Sequence, residues 1–373
     1  MISLAEYLHP IRPDLAPGIL SDRGLRAMTG LAALIPFAPI QEFGFECRLN
    51  DAVPRLDLGL SLGRPGGPEL LGDRHPWIRF PSRWTRHPAW GGLSRFGRAW
   101  AGADALLEQT VRVVFLEFDL ADGMGEPGVP SLFFNLEPAH PQPQAARDQV
   151  RVPTALRGLT ALLERPAPPP QAGLVAACIA ELPSVAKAAF LGLMLSRPDP
   201  TVRLCLSRLP EAAILPYLER IGWTGHRAGL AKLLALAGAR ADVFTLNLDL
   251  GPEGNLLPRA GIECFIRPWA WLASRGRWSD LVDSLRETGL CLAEKGDGVL
   301  AFGGLTPIHD PRLWPPDLAL GGPSHPRFGL ARSINHLKIT IEAQGGLEAK
   351  AYVSVRPCRS PRPMAARASQ LDA

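Results

Sequence analysis

Tyrosine and lysine are scarce in this 373-residue chain: three Tyr (7, 217 and 352) and five Lys (187, 232, 295, 338 and 350) stand beside 35 Arg. The formal net charge is only +4, too little for a surface built to neutralise a nucleic-acid backbone, so nucleic acid is not an expected partner. The six cysteines (47, 178, 205, 264, 291 and 358) form no CxxC pair and no Cys/His grouping at metal spacing. That argues against a zinc module or a disulfide framework and suits small core residues in a reducing compartment. HExxH, GxxxxGK[ST] and GxGxxG are all missing, and Asp119 and Asp122 are a lone acidic pair, so no metal or nucleotide site is nominated. "GLSLG" at 59–63 spells a nucleophile elbow, but "GRPGGPEL" follows where the elbow needs a helix, and Ser61 is set aside. Five of the eight His (9, 75, 87, 140 and 325) directly precede Pro, where the backbone is driven extended, and read as loop residues. "MISLAEYLHPIRPDLAPG" lacks the basic-then-apolar order of a signal peptide. The longest apolar stretch, "AGLVAACIAELPSVAKAAFLGLML", is broken by Glu181, Pro183 and Lys187, so no membrane span is expected and the location expected is cytoplasmic.

What the chain does have is a globular composition, 46% hydrophobic and 20% charged. Apolar spacing of three to four residues predicts helices over 13–38, 100–109, 153–164, 172–195, 210–221, 226–238 and 277–288, the last with Ser279 as N-cap and Gly289 just past its end. Between them lie alternating strands. "EFGFECRLN" pairs with "PRLDLGLSLG", "RVVFLEFDL" with "PSLFFNLEP", and "VFTLNLDLG" with "RAGIECFIRP"; "TVRLCLSRL" stands alone, and "LKITIEAQGGLEAKAYVSV" at 337–355 is a closing hairpin. Short turns between adjacent strands imply antiparallel pairing and an α+β fold. Residues 165–171, "RPAPPPQ", form a stiff spacer, yet strand pairs of one character lie on both sides, so a single domain over 1–356 is expected, followed by a disordered tail at 357–373.

Alternation divides each strand into two faces. One is apolar throughout, as in Leu56, Leu58, Leu60 and Leu62. The other carries Glu46 and Arg48, Asp57, Glu117, Phe133, Arg203, Asn247 and Asp249, Glu263 and Phe265, His336 and Lys338, and Lys350 and Tyr352. Two architectures satisfy this pattern. The sheet stays open, with helices on one face and water on the other, or it closes into a helix-wrapped antiparallel barrel with a polar lumen and no exposed edge.

In the closed form, the order of elements over 13–356 resembles the aromatic and peptide prenyltransferases of the ABBA fold. "EAKAYV" is similar to the Lys-x-Tyr strand motif of that superfamily, matched by Lys350 and Tyr352, and "FECRLND" to its early Glu-bearing strand. The resemblance implies a tailoring enzyme that moves an allylic group from a diphosphate to an aromatic small molecule or a peptide side chain. It would give Glu46 the role of base or orienting group, Lys350 the diphosphate and Tyr352 the shielding of the carbocation. Arg48, Arg203 and Lys338 are further cations on the same face, suited to a leaving diphosphate. Three tyrosines cannot build a full tyrosine shield, and Phe133 and Phe265 are the aromatic substitutes. The resemblance fixes no definite cofactor, and magnesium is the one candidate ion.

A rival from another class is a non-catalytic accessory protein that holds a peptide on an open sheet. Residues 73–100 bear on it, with six Arg and four Trp and a single acid. They read as a long loop pinned by Trp packing, or as a contact for an anionic ligand or a peptide. An unrelated transferase using the same polar face is a third possibility.

Overall fold

The computed structural model describes residues 2–72, 80, 82, 86–120, 129–137, 144–163, 170–195, 201–314 and 327–360. Its strands are β1 (Ile40–Arg48), β2 (Leu56–Gly63), β3 (Val113–Phe118), β4 (Ser131–Asn135), β5 (Lys187–Met194), β6 (Thr201–Ser207), β7 (Val243–Leu250), β8 (Leu256–Phe265), β9 (Gly304–Pro307), β10 (Arg327–Ile341) and β11 (Leu347–Ser360). β1 to β8 follow one another in antiparallel order, β8 pairs with β10, β10 with β11, and β11 returns to β1. The result is a closed ten-stranded antiparallel barrel, with β9 as a short addition beside β10. Closure removes the open-sheet alternative and leaves the polar faces looking inward.

The alternation explains the layering. Phe43, Phe45 and Cys47 of β1 are buried on the outside of the wall, in one continuous core with Phe302, Trp278 and Leu281 from the surrounding helices. Helix α1 (Gln144–Leu163) lies so close to β4 that a Cβ at Gly158 would sit 2.1 Å from the Phe134 ring. No described helix is long and apolar enough to cross a membrane.

Several expectations need correction. The helix predicted over 172–195 stops at Ala180, and Lys187–Met194 is β5, the partner that "TVRLCLSRL" lacked. Pro183 blocks helix continuation, and the backbone groups beyond it are satisfied by β4 and β6 on either side. The helix predicted over 13–38 is shorter, Asp22–Ala32, with the Ser21 side chain accepting from the Gly24 amide. Ser279 is not an N-cap, because its helix, α2 (Trp271–Glu287), begins eight residues earlier, anchored by the buried Trp271 and Trp278. Gly289 does follow that helix, with φ +73°.

Of the Arg/Trp-rich segment, Pro88–Arg98 is helical rather than looped. Trp90 and Trp100 are buried, with Trp100 Nε1 donating to the Val111 carbonyl at 2.8 Å. Most of residues 73–85 lie outside the described residues, as do 164–169 of the Pro-rich spacer. β4 and β5, on opposite sides of that spacer, pair directly. Pro357–Ser360, assigned to the tail by the sequence, instead continue β11 opposite Arg327–Leu330, and 361–373 lie outside the described residues.

Candidate functional site

An ion-pair floor closes one end of the barrel. Glu348 is 3.8 Å from Arg48, 3.5 Å from Lys350 and 3.6 Å from Arg259. Arg48 also meets Asp57 at 2.7 Å, Lys350 meets Glu46 at 2.8 Å, and Arg259 meets Glu342 at 2.6 Å and Asp249 at 3.1 Å. Arg48 and Lys350 stand directly opposite each other on β1 and β11, a like-charge pairing that the intervening carboxylates make tolerable.

Above the floor lies a cavity of about 370 Å³, large enough for a small aromatic ligand. Glu46, Phe133, Arg203, Phe265, Lys338 and Tyr352 all line it, whereas Arg48 and Lys350 belong to the floor. Its wall holds six carboxyl side chains (Glu42, Glu46, Asp57, Glu117, Asp119 and Glu263) against three cationic ones, Arg203, Lys338 and Arg356. Each of those cations is already engaged. Arg203 makes two bonds to Asp249, at 2.7 and 2.9 Å, Lys338 lies 3.6 Å from Glu263, and Arg356 lies 2.6 Å from Glu42.

One wall is an aromatic column. The His336 ring stacks on Tyr352 at 4.3 Å and 16°, and Phe265 packs on its other side at 4.9 Å. A β-bulge in β10 between Ile334 and His336 brings Asn335 to the cavity too, where its Oδ1 is 2.9 Å from His336 Nδ1. Tyr352 donates its hydroxyl to Glu46 Oε2. The opposite wall is Phe115, Phe133 and Phe190, the first and last in edge contact at 5.3 Å.

The electrostatics separate these groups. Burial pushes the Glu46 carboxyl up, but Lys350 and Arg48 outweigh it and hold the group at about 2. Burial and repulsion from Glu46 lift Glu117 to about 7, against the pull of Lys338, Arg203 and Lys350. Asp57 rises to about 6 for the same two reasons, despite Arg48. Burial holds His336 down at about 4 although Glu263 is near, so it is neutral at pH 7. Burial and Arg203 lower Lys338, while burial and Glu46 keep the Tyr352 phenol protonated well beyond its ordinary range.

The sequence nominated the polar face correctly as a face but not all of its members. Glu117 and His336 were visible on it by alternation. Phe190 was not, because Lys187–Met194 has no polar alternation to mark it as a strand, and the pairing of every cation depends on strand register, which no single strand reveals.

No family model matches the chain, and no curated protein matches it in sequence. Solved structures do match. The prenyltransferase PriB, in a ternary complex with L-tryptophan and dimethylallyl thiolodiphosphate, aligns over 97% of this chain and 100% of its own at 16% identity and TM-score 0.55. The chain has the ABBA fold of the aromatic prenyltransferases. The 5-dimethylallyltryptophan synthase of Streptomyces coelicolor (94% of this chain, 97% of its own, 14% identity, TM-score 0.50) and AnaPT of Neosartorya fischeri (94%, 91%, 12%, 0.51) share this ABBA architecture.

Proposed function

We propose that this chain is a prenyltransferase-like tailoring enzyme that moves an allylic group from a diphosphate to an aromatic small molecule or an aromatic peptide side chain. The observation that carries the reading is the line Glu46–Tyr352–His336–Phe265, an ionised carboxylate at the end of an aromatic stack inside a closed barrel. In such a transfer the allylic C–O bond breaks, the diphosphate leaves with the electron pair, and the acceptor ring attacks the carbon and then loses a proton. Positive charge therefore develops on the ring. Glu46 accepts a hydrogen bond from the acceptor and stabilises that charge, and Tyr352, Phe265 and Phe133 screen the cation from water. Arg203 and Lys338 face the diphosphate from the cavity wall, with Arg48 and Lys350 beneath. The donor complexes of PriB and of NotF, the latter solved with brevianamide F and the same kind of donor analogue, support a lumen of this shape as a donor site. Five buried free thiols fit a cytoplasmic setting.

A second reading has its own support: every cation of the wall and floor already holds a carboxylate, so a diphosphate binds here in competition with Asp249 and Glu263. A non-catalytic barrel that holds an aromatic ligand or peptide would need no such exchange. Thermal shift with dimethylallyl and geranyl diphosphate separates the two, because a ligand that binds only the folded state raises its stability. The transferase reading expects a rise in Tm and prenylated product with an aromatic acceptor. No shift at millimolar donor, or a shift unchanged in Lys350→Ala relative to its own ligand-free Tm, counts against it.

A further inference from the structure

Asp119, which has no hydrogen bond or ion pair among the described residues, is exposed, so Glu117 is the part-buried exception among the carboxyl groups that line the interior of this barrel. It makes no hydrogen bond and no ion pair among the described residues, while Glu42, Glu46, Asp57 and Glu263 each have a partner within 4 Å. Its surroundings are shaped as a seat. Across the strands, Glu117 pairs with Gly59 on one side and Ser131 on the other, Gly59 with Gly44, and Gly44 with Ser354. The carboxyl group thus stands in a belt of the smallest side chains. A Cβ at Gly59 would meet nothing nearer than the Gly44 carbonyl at 3.9 Å, so the space beside Glu117 is open. The neighbouring row towards the mouth is Ser61, Phe115 and Phe133, with the Phe190 ring against Phe115. The row towards the floor is Glu46 and Asp57.

A carboxylate flanked by aromatic faces and further acids is a receptor for a positive charge on an apolar body. The ammonium group gains from the carboxylate and from the ring quadrupoles, and the apolar part fills the remaining cavity. A diphosphate gains nothing at this position. We infer that the belt around Glu117 is a subsite for an organic ammonium group, and that the ligand of this barrel is an aromatic amine in its cationic form, its ring among Phe115, Phe133 and Phe190. This rests on the proposed transferase reading only in calling that amine the acceptor; the subsite itself requires no donor.

Calorimetric titration at pH 8 with tryptamine, 3-methylindole and indole-3-propionate, a cation, a neutral ring and an anion of similar size, tests the charge. Tryptamine is expected to bind at least tenfold more tightly than either other probe, and Glu117→Gln to abolish that advantage while leaving 3-methylindole unchanged. Gly59→Leu, which fills the belt without touching a charge, is expected to weaken tryptamine at least tenfold. Equal dissociation constants for the three probes, or tryptamine binding unaltered in either variant, overturns the subsite. Because these titrations contain no diphosphate, their failure is distinct from a failure of donor binding. Conversely, a tryptamine complex that never turns over with dimethylallyl diphosphate leaves the subsite standing and removes the transferase.

Discussion

Arg203 of β6 and Asp249 of β7 sit side by side in the barrel and are joined by two parallel bonds, both residues almost wholly buried. Burial opposes both charges, but the pair holds the carboxylate well below and the guanidinium well above its ordinary range. Asp249→Ala leaves a buried guanidinium with no counter-charge of its own, and a loss of about 3–5 kcal/mol is expected in urea unfolding. Replacing both partners by apolar residues of similar volume, Arg203→Met with Asp249→Leu, is expected to recover most of that loss.

Glu46→Gln keeps the shape of the side chain and removes its charge. Under the transferase reading, turnover with an aromatic acceptor is expected to fall about a hundredfold, with little change in the Michaelis constant for the donor. An unchanged rate would remove Glu46 from the chemistry.

Acid and base act oppositely on two carboxyls of one lumen. Glu117, faced by Glu46 of β1, Lys350 of β11, Lys338 of β10 and Arg203 of β6, titrates near 7 when folded, above its ordinary 4.5. The folded state then binds more protons than the unfolded state between those values, so Glu117 costs stability progressively as pH rises through that window. Glu117→Gln is expected to gain on the wild type between pH 5 and 8.5, by up to about 2–3 kcal/mol. Glu46, held at about 2, contributes stability that is complete above 4.5 and is lost as pH falls towards 2. Thermal melts of both variants across pH 3–8.5 check the two signs.

Two glycines of the wall predict opposite outcomes. A Cβ at Gly192 would lie 2.1 Å from the Phe133 ring, whereas one at Gly59 has room. Gly192→Ala is expected to cost about 1–3 kcal/mol by driving Phe133 off its place, and Gly59→Ala to be neutral or stabilising by up to about 1 kcal/mol. Chemical denaturation of the two variants decides it.

Only one thiol is expected to react under native conditions. Burial pushes all six thiols up, but Cys47, Cys178, Cys205, Cys264 and Cys291 are buried while Cys358 is part-exposed on β11, so access sets it apart. Iodoacetamide labelling read by mass spectrometry should find Cys358 modified first and the others only after unfolding.

The two faces of each strand were readable from alternation because a side-chain period of two is a local property, and closure was one of two packings that pattern allows. β5 was not readable: "AKAAFLGLM" has no polar alternation, and its extended form comes from hydrogen bonds to β4 and β6. Lys350 and Tyr352 were found together on one face, yet only the three-dimensional register shows that Lys350 belongs to the floor and Tyr352 to the cavity. Glu117 looked like any other charged strand residue, since being left without a partner is a statement about every other residue around it.

The seam between β1 and β11 joins residues such as Glu46 and Tyr352 that lie 306 positions apart. During synthesis, β1 emerges from the ribosome long before its outer neighbour exists, and its free edge stays open to stray strand pairing until the final hairpin is made. The lumen and its ionised groups come into being only when that seam shuts. Slow, late acquisition of any ligand-binding capacity, and a dependence of yield on chaperones that shelter exposed sheet edges, follow from the same closure that makes the cavity.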